Sequence, residues 1–188
     1  MSTDRDIGGF QEGNDLYRRF RLVFEELYAP LCQYAFTFVK NRDACEDIVQ
    51  EIFTRIWEKN RRLLATSGND TRYYLFTAVR NNCLTYLSRE QRMPVYSLTD
   101  RHLEENSQGD WVDGMTEKDP QADYNTRLAG YIEQLPPKCK EVFLLSRMGQ
   151  LSSREVASTL EISVKTVENQ LWKAMKILRS LAKSMYMW

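Results

Sequence analysis

A group of polar residues near the C-terminus is spaced to lie on one face of a helix, where it could contact the edges of DNA bases. Lys165, Thr166, Glu168, Asn169, Gln170 and Lys173 face away from the apolar positions of the segment 164–181. Asn pairs well with adenine and Lys with guanine or phosphate, while a helix N-terminus favours phosphate. The set predicts a helix that reads the major groove. The alternative is an ordinary helical hairpin with a polar outer face.

A helix-turn-helix must position that face, and the preceding residues have its local features. Ser152-Ser153-Arg154-Glu155 matches the S-x-x-E capping box that begins a helix. Ala157 is small where two helices would cross, Ile162 is an apolar turn residue, and Ser163 is placed to cap the second helix. These signals fall in register, which favours DNA binding over the plain hairpin. Glu161 stands where such turns usually hold Gly, so we expect its backbone to cost about 1 kcal/mol.

A second candidate nucleic-acid surface interleaves cations with aromatic rings in a helical segment before residue 93. With Leu75, Val79 and Cys83 facing the core, other side chains lie on a different side of this helix. Exposed aromatic rings beside Arg can stack on unpaired bases while the cations hold phosphate. The alternative is that the rings belong to the core. The candidate residues are Arg72, Tyr73, Phe76, Arg80, Asn81 and Arg89.

Residue types that carry catalysis are scarce in this chain. His102 is the single histidine, and the sequence has no Gly-rich phosphate loop or nucleophile elbow. The cysteines are far apart and form no CxxC pair, so we expect them to be small buried hydrophobic residues rather than disulfides or metal ligands. They are Cys32, Cys45, Cys83 and Cys139. We therefore predict no enzyme activity, no metal and no cofactor.

The net charge of zero conceals alternating blocks along the chain. Residues 54–92 hold eight cations and three acids, and residues 124–188 hold ten cations and five acids. Residues 93–123, between them, hold two cations and eight acids and lack a sustained apolar stripe. Clustered cations are the electrostatic footprint of nucleic-acid binding, whereas the acidic stretch is typical of a linker.

Helical periodicity dominates on both sides of this linker. It predicts an all-α fold with two small helical domains, 15–92 and 124–183, joined by the acidic linker 93–123. Pro30 interrupts the first apolar run, which indicates either two helices or one kinked helix. Asn41-Arg42-Asp43 is a short turn with a cap candidate for the following helix, and Asp70 or Thr71 is placed to cap the one after it.

The chain resembles the extracytoplasmic-function (ECF) group of bacterial sigma-70-type RNA polymerase sigma factors. Three stretches carry the resemblance, in the order of that family's regions 2 and 4: Cys45–Phe53 with Trp57, then Tyr74–Asn81, then Cys139–Leu145 followed by the helix-turn-helix. Cys45 stands where Ala is usual. The first domain thus resembles region 2 and the second resembles region 4.

The resemblance implies roles for the candidate residues. It assigns binding of core RNA polymerase, through its β′ and β subunits, to Asp47, Gln50, Glu51, Phe53 and Trp57. It assigns recognition and melting of the −10 promoter element, with capture of a flipped-out base, to the basic aromatic helix. It assigns −35 recognition to Ser163, Lys165, Thr166, Glu168, Asn169 and Lys173. It also implies regulation by an anti-sigma factor, which in this group is often membrane-anchored.

The alternative function is a stand-alone helix-turn-helix regulator whose N-terminal helical domain binds a partner. Either function is expected in the cytoplasm. The charged N-terminal residues Met1–Asp6 do not resemble a signal peptide, and no apolar run approaches the roughly 18 residues of a membrane span. We therefore expect promoter DNA and polymerase as partners, without insertion into a membrane.

Overall fold

The computed structural model describes residues 4–66, 68–92 and 128–185, and these form helices joined by turns, without a β-strand. The all-α prediction is confirmed for this part of the chain. The chain divides into two compact units, Met1–Met93 and Pro94–Trp188. The predicted linker, 93–123, lies outside the described residues, and the predicted domain boundaries stay predictions.

The N-terminal unit begins with a long helix, α1, which spans Asp4–Val39. Pro30 lies inside it and has no N–H, so the carbonyl of Glu26 loses its usual helical donor. The chain nevertheless continues as one helix, and the two-helix alternative is wrong. Leu31 and Tyr34 follow within the next turn and are fully buried, so packing against the unit's core holds the helix together across the proline.

Helix α2 spans Arg42–Lys59 and is capped as predicted. The Asn41 side chain accepts a hydrogen bond from the backbone N–H of Ala44, with a donor–acceptor distance of 2.9 Å. One stripe of α2 is buried at the spacing of an amphipathic helix. Its members are Cys45, Ile48, Val49, Ile52, Phe53 and Ile56.

Helix α3 spans Gly68–Arg92 and follows a short 3₁₀ turn over Arg61–Ala65. The prediction that Asp70 or Thr71 caps α3 is wrong, because the helix begins earlier. Thr71 is instead buried in the first turns, where its hydroxyl donates to the carbonyl of Leu63 at 2.8 Å. This bond fastens α3 to the 3₁₀ turn, and α1, α2 and α3 all contact one another.

The C-terminal unit contains a helical segment at 128–133 (α4), then α5 over Pro137–Arg147, α6 over Ser153–Leu160 and α7 over Val164–Met185. Pro137 occupies the first turn of α5, where a missing N–H costs nothing. Packing of α5 and α6 on α7 encloses a small apolar core. Buried members of that core are Leu135, Cys139, Phe143 and Ala174.

A tight turn connects α5 to α6 and requires glycine at position 149. A Cβ atom there would lie 2.5 Å from the carbonyl oxygen of Leu145. The same carbonyl accepts a hydrogen bond from the N–H of Leu151 at 3.2 Å. The close approach of these backbones directs the chain into α6, which begins the helix-turn-helix.

Candidate functional site

The first helix of the helix-turn-helix, α6, begins with the predicted capping box. Glu155 N–H donates to Ser152 Oγ at 3.3 Å, and Ser152 N–H donates to Glu155 Oε2 at 2.7 Å. Two backbone donors that the helix leaves without partners are thereby satisfied. Val156 and Ala157 then turn into the core, and Ala157 is the small residue predicted for the helix crossing.

The turn between α6 and α7 is set by a residue with left-handed backbone. Glu161 has φ 55° and ψ 41°, the conformation that Gly adopts most readily. The N–H of Ile162 then donates to the carbonyl of Ala157 at 3.0 Å. Ser163 caps α7, because its Oγ accepts from the N–H of Thr166 at 3.0 Å. The predicted strain at Glu161 and the predicted cap at Ser163 are both present.

Helix α7 presents most of the predicted base-reading residues to solvent. The side chains of Lys165 and Glu168 are 79% and 56% exposed, and 3.9 Å separates Lys165 Nζ from Glu168 Oε2. Asn169 and Lys173 are exposed as well, and Thr166 is half-buried beside the cap. This face offers amide, hydroxyl and ammonium groups to a ligand, the groups that contact base edges and phosphates.

The structure turns one neighbouring residue of α7 inward. Sequence periodicity places Gln170 among the polar residues of the outer face, but it is half-buried. The thiol of Cys139, on α5, donates to Gln170 Oε1 at 2.8 Å. Gln170 therefore links the recognition helix to the core of its own unit.

In the N-terminal unit, α2 presents a polar face at the positions predicted to bind polymerase. Asp47, Gln50 and Glu51 are exposed. Gln50 Nε2 donates to the hydroxyl of Tyr28 on α1 at 3.3 Å, and Glu51 forms an ion pair with Arg55 one turn away. This face is suited to a protein surface that supplies hydrogen-bond donors and cations.

Phe53 does not belong to that face. It is 2% exposed, and its ring packs against Phe20 and Phe24 of α1 with centroid separations of 5.9 and 4.9 Å. Its prediction as a direct polymerase contact is therefore corrected, since a ring enclosed by two others cannot reach a partner. Phe53 instead fixes α2 against α1.

Trp57, the last predicted polymerase-binding residue, is half-buried at the border of this aromatic cluster. Its ring lies 5.1 Å from Phe20 and 6.2 Å from Tyr17, centroid to centroid. The guanidinium of Arg61 sits 4.7 Å from the centroid of the indole. Part of Trp57 therefore stays accessible, while its ring packs against α1 and Arg61.

Helix α3 carries the residues predicted to bind the −10 element, with one correction. Phe76 is fully buried, and its ring centroid lies 5.3 Å from that of Tyr34 on α1. Phe76 belongs to the core together with Leu75 and Val79, which are also fully buried. These residues lie on the side of α3 that faces α1. The prediction of Phe76 as a DNA contact is wrong.

The other α3 candidates remain at or near the surface. Asn81 and Arg89 are exposed two turns apart, and Tyr73 and Arg80 are half-buried. Arg72 is only 12% exposed and forms an ion pair with Glu26 of α1. Its guanidinium is thus held on the surface of the unit by an acid that sequence reasoning did not single out.

The cysteines are free and buried, as predicted. Burial raises the pKa of Cys32 to about 12, that of Cys45 to about 11 and that of Cys83 to about 12, because the thiolate would lose its hydration. Such thiols stay protonated at neutral pH. Across the described parts of the chain, no three His, Cys, Asp or Glu residues are grouped to hold a metal ion.

A functional candidate that sequence reasoning missed is Trp172 on α7. Its side chain is 67% exposed, and Lys176 Nζ lies 5.2 Å from its ring centroid. The spacing from Lys165 and Asn169, at seven and three residues, is the signal that could have found it.

Comparison with known proteins agrees with this geometry. Residues 23–93 match the family model for sigma-70 region 2, and residues 126–178 match the model for sigma-70 region 4. Over 160 residues the chain is 26% identical to the ECF RNA polymerase sigma factor SigL of Mycobacterium tuberculosis, covering 85% of this chain and 86% of SigL. The chain belongs to the ECF group of the sigma-70 family.

This ECF sigma factor is also similar to a second curated relative and to a solved structure. It is 27% identical over 200 residues to the ECF RNA polymerase sigma factor SigG of Mycobacterium tuberculosis, which covers 97% of this chain and 51% of SigG. Its fold is similar to that of CnrH in a structure with the cytosolic domain of CnrY, with a TM-score of 0.52 and 20% identity. That match covers 89% of this chain and 90% of CnrH.

Membership of the family establishes the general function. Sigma factors are regulatory proteins, not enzymes, and they direct promoter-specific initiation by RNA polymerase. They act in the cytoplasm together with the polymerase. The helices described for this sigma factor include none with the length and apolar character to span a bilayer.

Proposed function

We propose that this ECF sigma factor binds core RNA polymerase through the polar face of α2 and reads the −35 promoter element with α7. The observation that carries the proposal is the exposed face of α7, displayed by a complete helix-turn-helix. Ser163, Lys165, Thr166, Glu168, Asn169 and Lys173 supply its groups, with Ser163 acting as the cap that orients the first turn.

Recognition and opening of the −10 element fall to α3 in this proposal. Tyr73 and Arg80 can stack on and neutralise a single strand, while Asn81 and Arg89 extend the surface along the helix. Arg72 joins them once its guanidinium exchanges Glu26 for a phosphate. Phe76 contributes by packing α3 on α1.

Binding of polymerase falls to Asp47, Gln50 and Glu51, together with the half-buried Trp57 of the same helix. These are the exposed acids and amide of α2, and they suit a partner surface rich in cations. Phe53, on the buried side of α2, holds this helix against α1. We assign this face to core polymerase, through its β′ subunit.

An anti-sigma factor completes the proposal. CnrH, whose fold this chain shares, has been solved in complex with the cytosolic domain of CnrY. By that likeness we propose that a protein of this kind binds the present sigma factor and restrains it.

Runoff transcription on a library of randomised promoters tests the proposed function. The purified chain is added to bacterial core polymerase, and the transcripts are sequenced; core polymerase alone is the control. We expect transcripts from templates that share one −35 and one −10 motif. Output equal to that of core polymerase alone would contradict the proposal, and motif-specific DNA binding without any affinity for polymerase would favour the stand-alone regulator instead.

A further inference from the structure

An exposed stripe runs along the whole length of α7, well beyond the residues assigned to base reading. Positions 165, 169, 172, 176, 179 and 183 are separated alternately by four and three residues, and all of them are exposed. This spacing keeps side chains on one face of a helix. The face that begins with Lys165 and Asn169 therefore continues into four residues that we call the C-terminal stripe: Trp172, Lys176, Arg179 and Lys183.

The C-terminal stripe is strongly cationic. Residues 171–185 contain four cations and no carboxylate, counting Lys173 beside the stripe. Trp172 is 67% exposed, with the ammonium of Lys176 over its ring at 5.2 Å. A large exposed aromatic ring beside a row of exposed cations is suited to an anionic ligand with flat or apolar edges.

The fold does not explain this stripe. Helix α7 packs on its own unit through the opposite face, where Val167 and Ala174 are fully buried and Met175, Ile177 and Leu178 pack against the core. The match to sigma-70 region 4 ends at residue 178, so Arg179 and Lys183 lie beyond it.

The length of α7 indicates what the stripe can reach. The helix has 22 residues, which is roughly 33 Å at 1.5 Å per residue, whereas the major groove is about 12 Å wide. Recognition helices read bases with their N-terminal residues. We therefore take the rest of this helix to extend past the groove edge, which a phosphate backbone forms, with the stripe on the same side as the base-reading face.

We propose that the C-terminal stripe of α7 binds the DNA phosphates that flank the −35 element, with Lys176, Arg179 and Lys183 pairing with phosphates and Trp172 covering the adjoining sugar edge. This inference rests on the proposed function, because it takes α7 to be the helix in the groove. Charge complementarity and continuity with the base-reading face favour DNA over a protein as the ligand.

The salt dependence of promoter binding by the complete holoenzyme tests the proposal. The variant Lys176→Gln with Arg179→Gln removes two cations from exposed positions and keeps side chains of similar length. Counterion release predicts that the slope of log K against log salt concentration becomes shallower by about 1.8, or about 0.9 for each lost phosphate contact. The matched control is Lys138→Gln, an exposed cation on α5 outside the stripe, which should keep the wild-type slope.

Neutral methylphosphonates placed singly around the −35 element locate the contacts. We expect substitutions next to the element to weaken wild-type holoenzyme and to leave the double variant unaffected at the same positions. Trp172→Ala should weaken binding without changing the salt slope. A wild-type slope for the double variant, or a loss of affinity for core polymerase with unchanged DNA binding, would overturn the inference.

The same measurements separate this inference from the proposed function. If wild-type holoenzyme shows no preference for a −35 element, the proposed function fails and the inference fails with it. If wild type shows the preference and Lys165→Ala with Asn169→Ala loses it, while the stripe variant keeps the full salt slope, only the inference fails.

Discussion

Three thiols lie in the core of the N-terminal unit, one from each of its long helices. Cys32 belongs to α1, Cys45 to α2 and Cys83 to α3, and none of them is accessible to solvent. Burial raises the pKa of Cys45 to about 11, and the nearby Glu46 carboxylate adds to this effect while a backbone hydrogen bond with Asn41 opposes it. Folding therefore favours the protonated thiol.

This pKa predicts a pH-dependent contribution to stability. The folded pKa of Cys45 lies above its ordinary value of 9.0, so the contribution is complete below about pH 9 and is lost as pH rises towards 11. Between pH 8 and pH 10, the free energy of unfolding of wild type should fall by about 1 kcal/mol more than that of Cys45→Ala. Urea unfolding of both proteins under reducing conditions measures the difference, and parallel pH dependences would contradict it.

For the aromatic residues, the sequence alone does not determine whether a side chain is exposed at a binding site or buried in the core. Phe53 and Phe76 occupy motif positions that the family resemblance connects with binding, yet both are buried against rings of α1. Periodicity within one helix cannot tell which neighbour covers a ring, because that depends on the packing of a distant segment. Asp47, Asn169 and Lys173 could be predicted correctly as exposed, since charged and amide groups avoid burial.

At the scale of elements, the turn between α6 and α7 combines strong local signals with one unfavourable residue. The capping box of α6 and the Ser163 cap of α7 begin their helices at the predicted residues. Glu161 holds a left-handed conformation, with φ 55°, and its side chain is exposed. A side chain in this conformation costs free energy that glycine does not.

Glu161→Gly should therefore stabilise the C-terminal unit. We expect its free energy of unfolding to rise by about 0.5–1 kcal/mol, after allowing for the greater freedom of glycine in the unfolded chain. Hydrogen exchange of α6 and α7 amides measures this locally. Glu161→Ala is the control, because alanine removes the charge and keeps the Cβ atom; an equal gain in both variants would attribute the effect to charge.

The ends of helices could be predicted where a local side chain caps the helix. They could not be predicted where contacts with distant segments determine the helix end. Asn41 and Ser152 were identifiable because their hydrogen bonds are local. Threonine is a common helix cap, but the Thr71 hydroxyl donates to the carbonyl of Leu63, eight residues earlier, in the preceding 3₁₀ turn. Pro30 is normally a helix breaker, and only burial of the residues around it explains why α1 continues.

At the scale of the whole molecule, the two proposed binding faces differ in charge. The α2 face in the N-terminal unit carries Asp47 and Glu51, and the α7 face in the C-terminal unit carries Lys165 and Lys173. Opposite charges on separate units suit two different partners, a cationic protein surface and a polyanion.

Two double variants should therefore separate the two activities. Asp47→Ala with Gln50→Ala should weaken binding of core polymerase at least about 10-fold, since two exposed polar contacts of roughly 1 kcal/mol each are lost. Lys165→Ala with Asn169→Ala should reduce −35-dependent transcription by a similar factor and leave polymerase affinity unchanged.

Affinity for core polymerase is measured with labelled sigma factor, and promoter use by runoff transcription at saturating sigma concentration. Each variant is the control for the other: because saturation restores polymerase occupancy, the α2 variant should regain transcription there and the α7 variant should not. Loss of polymerase binding in the α7 variant, or wild-type polymerase affinity in the α2 variant, would contradict this division between the units.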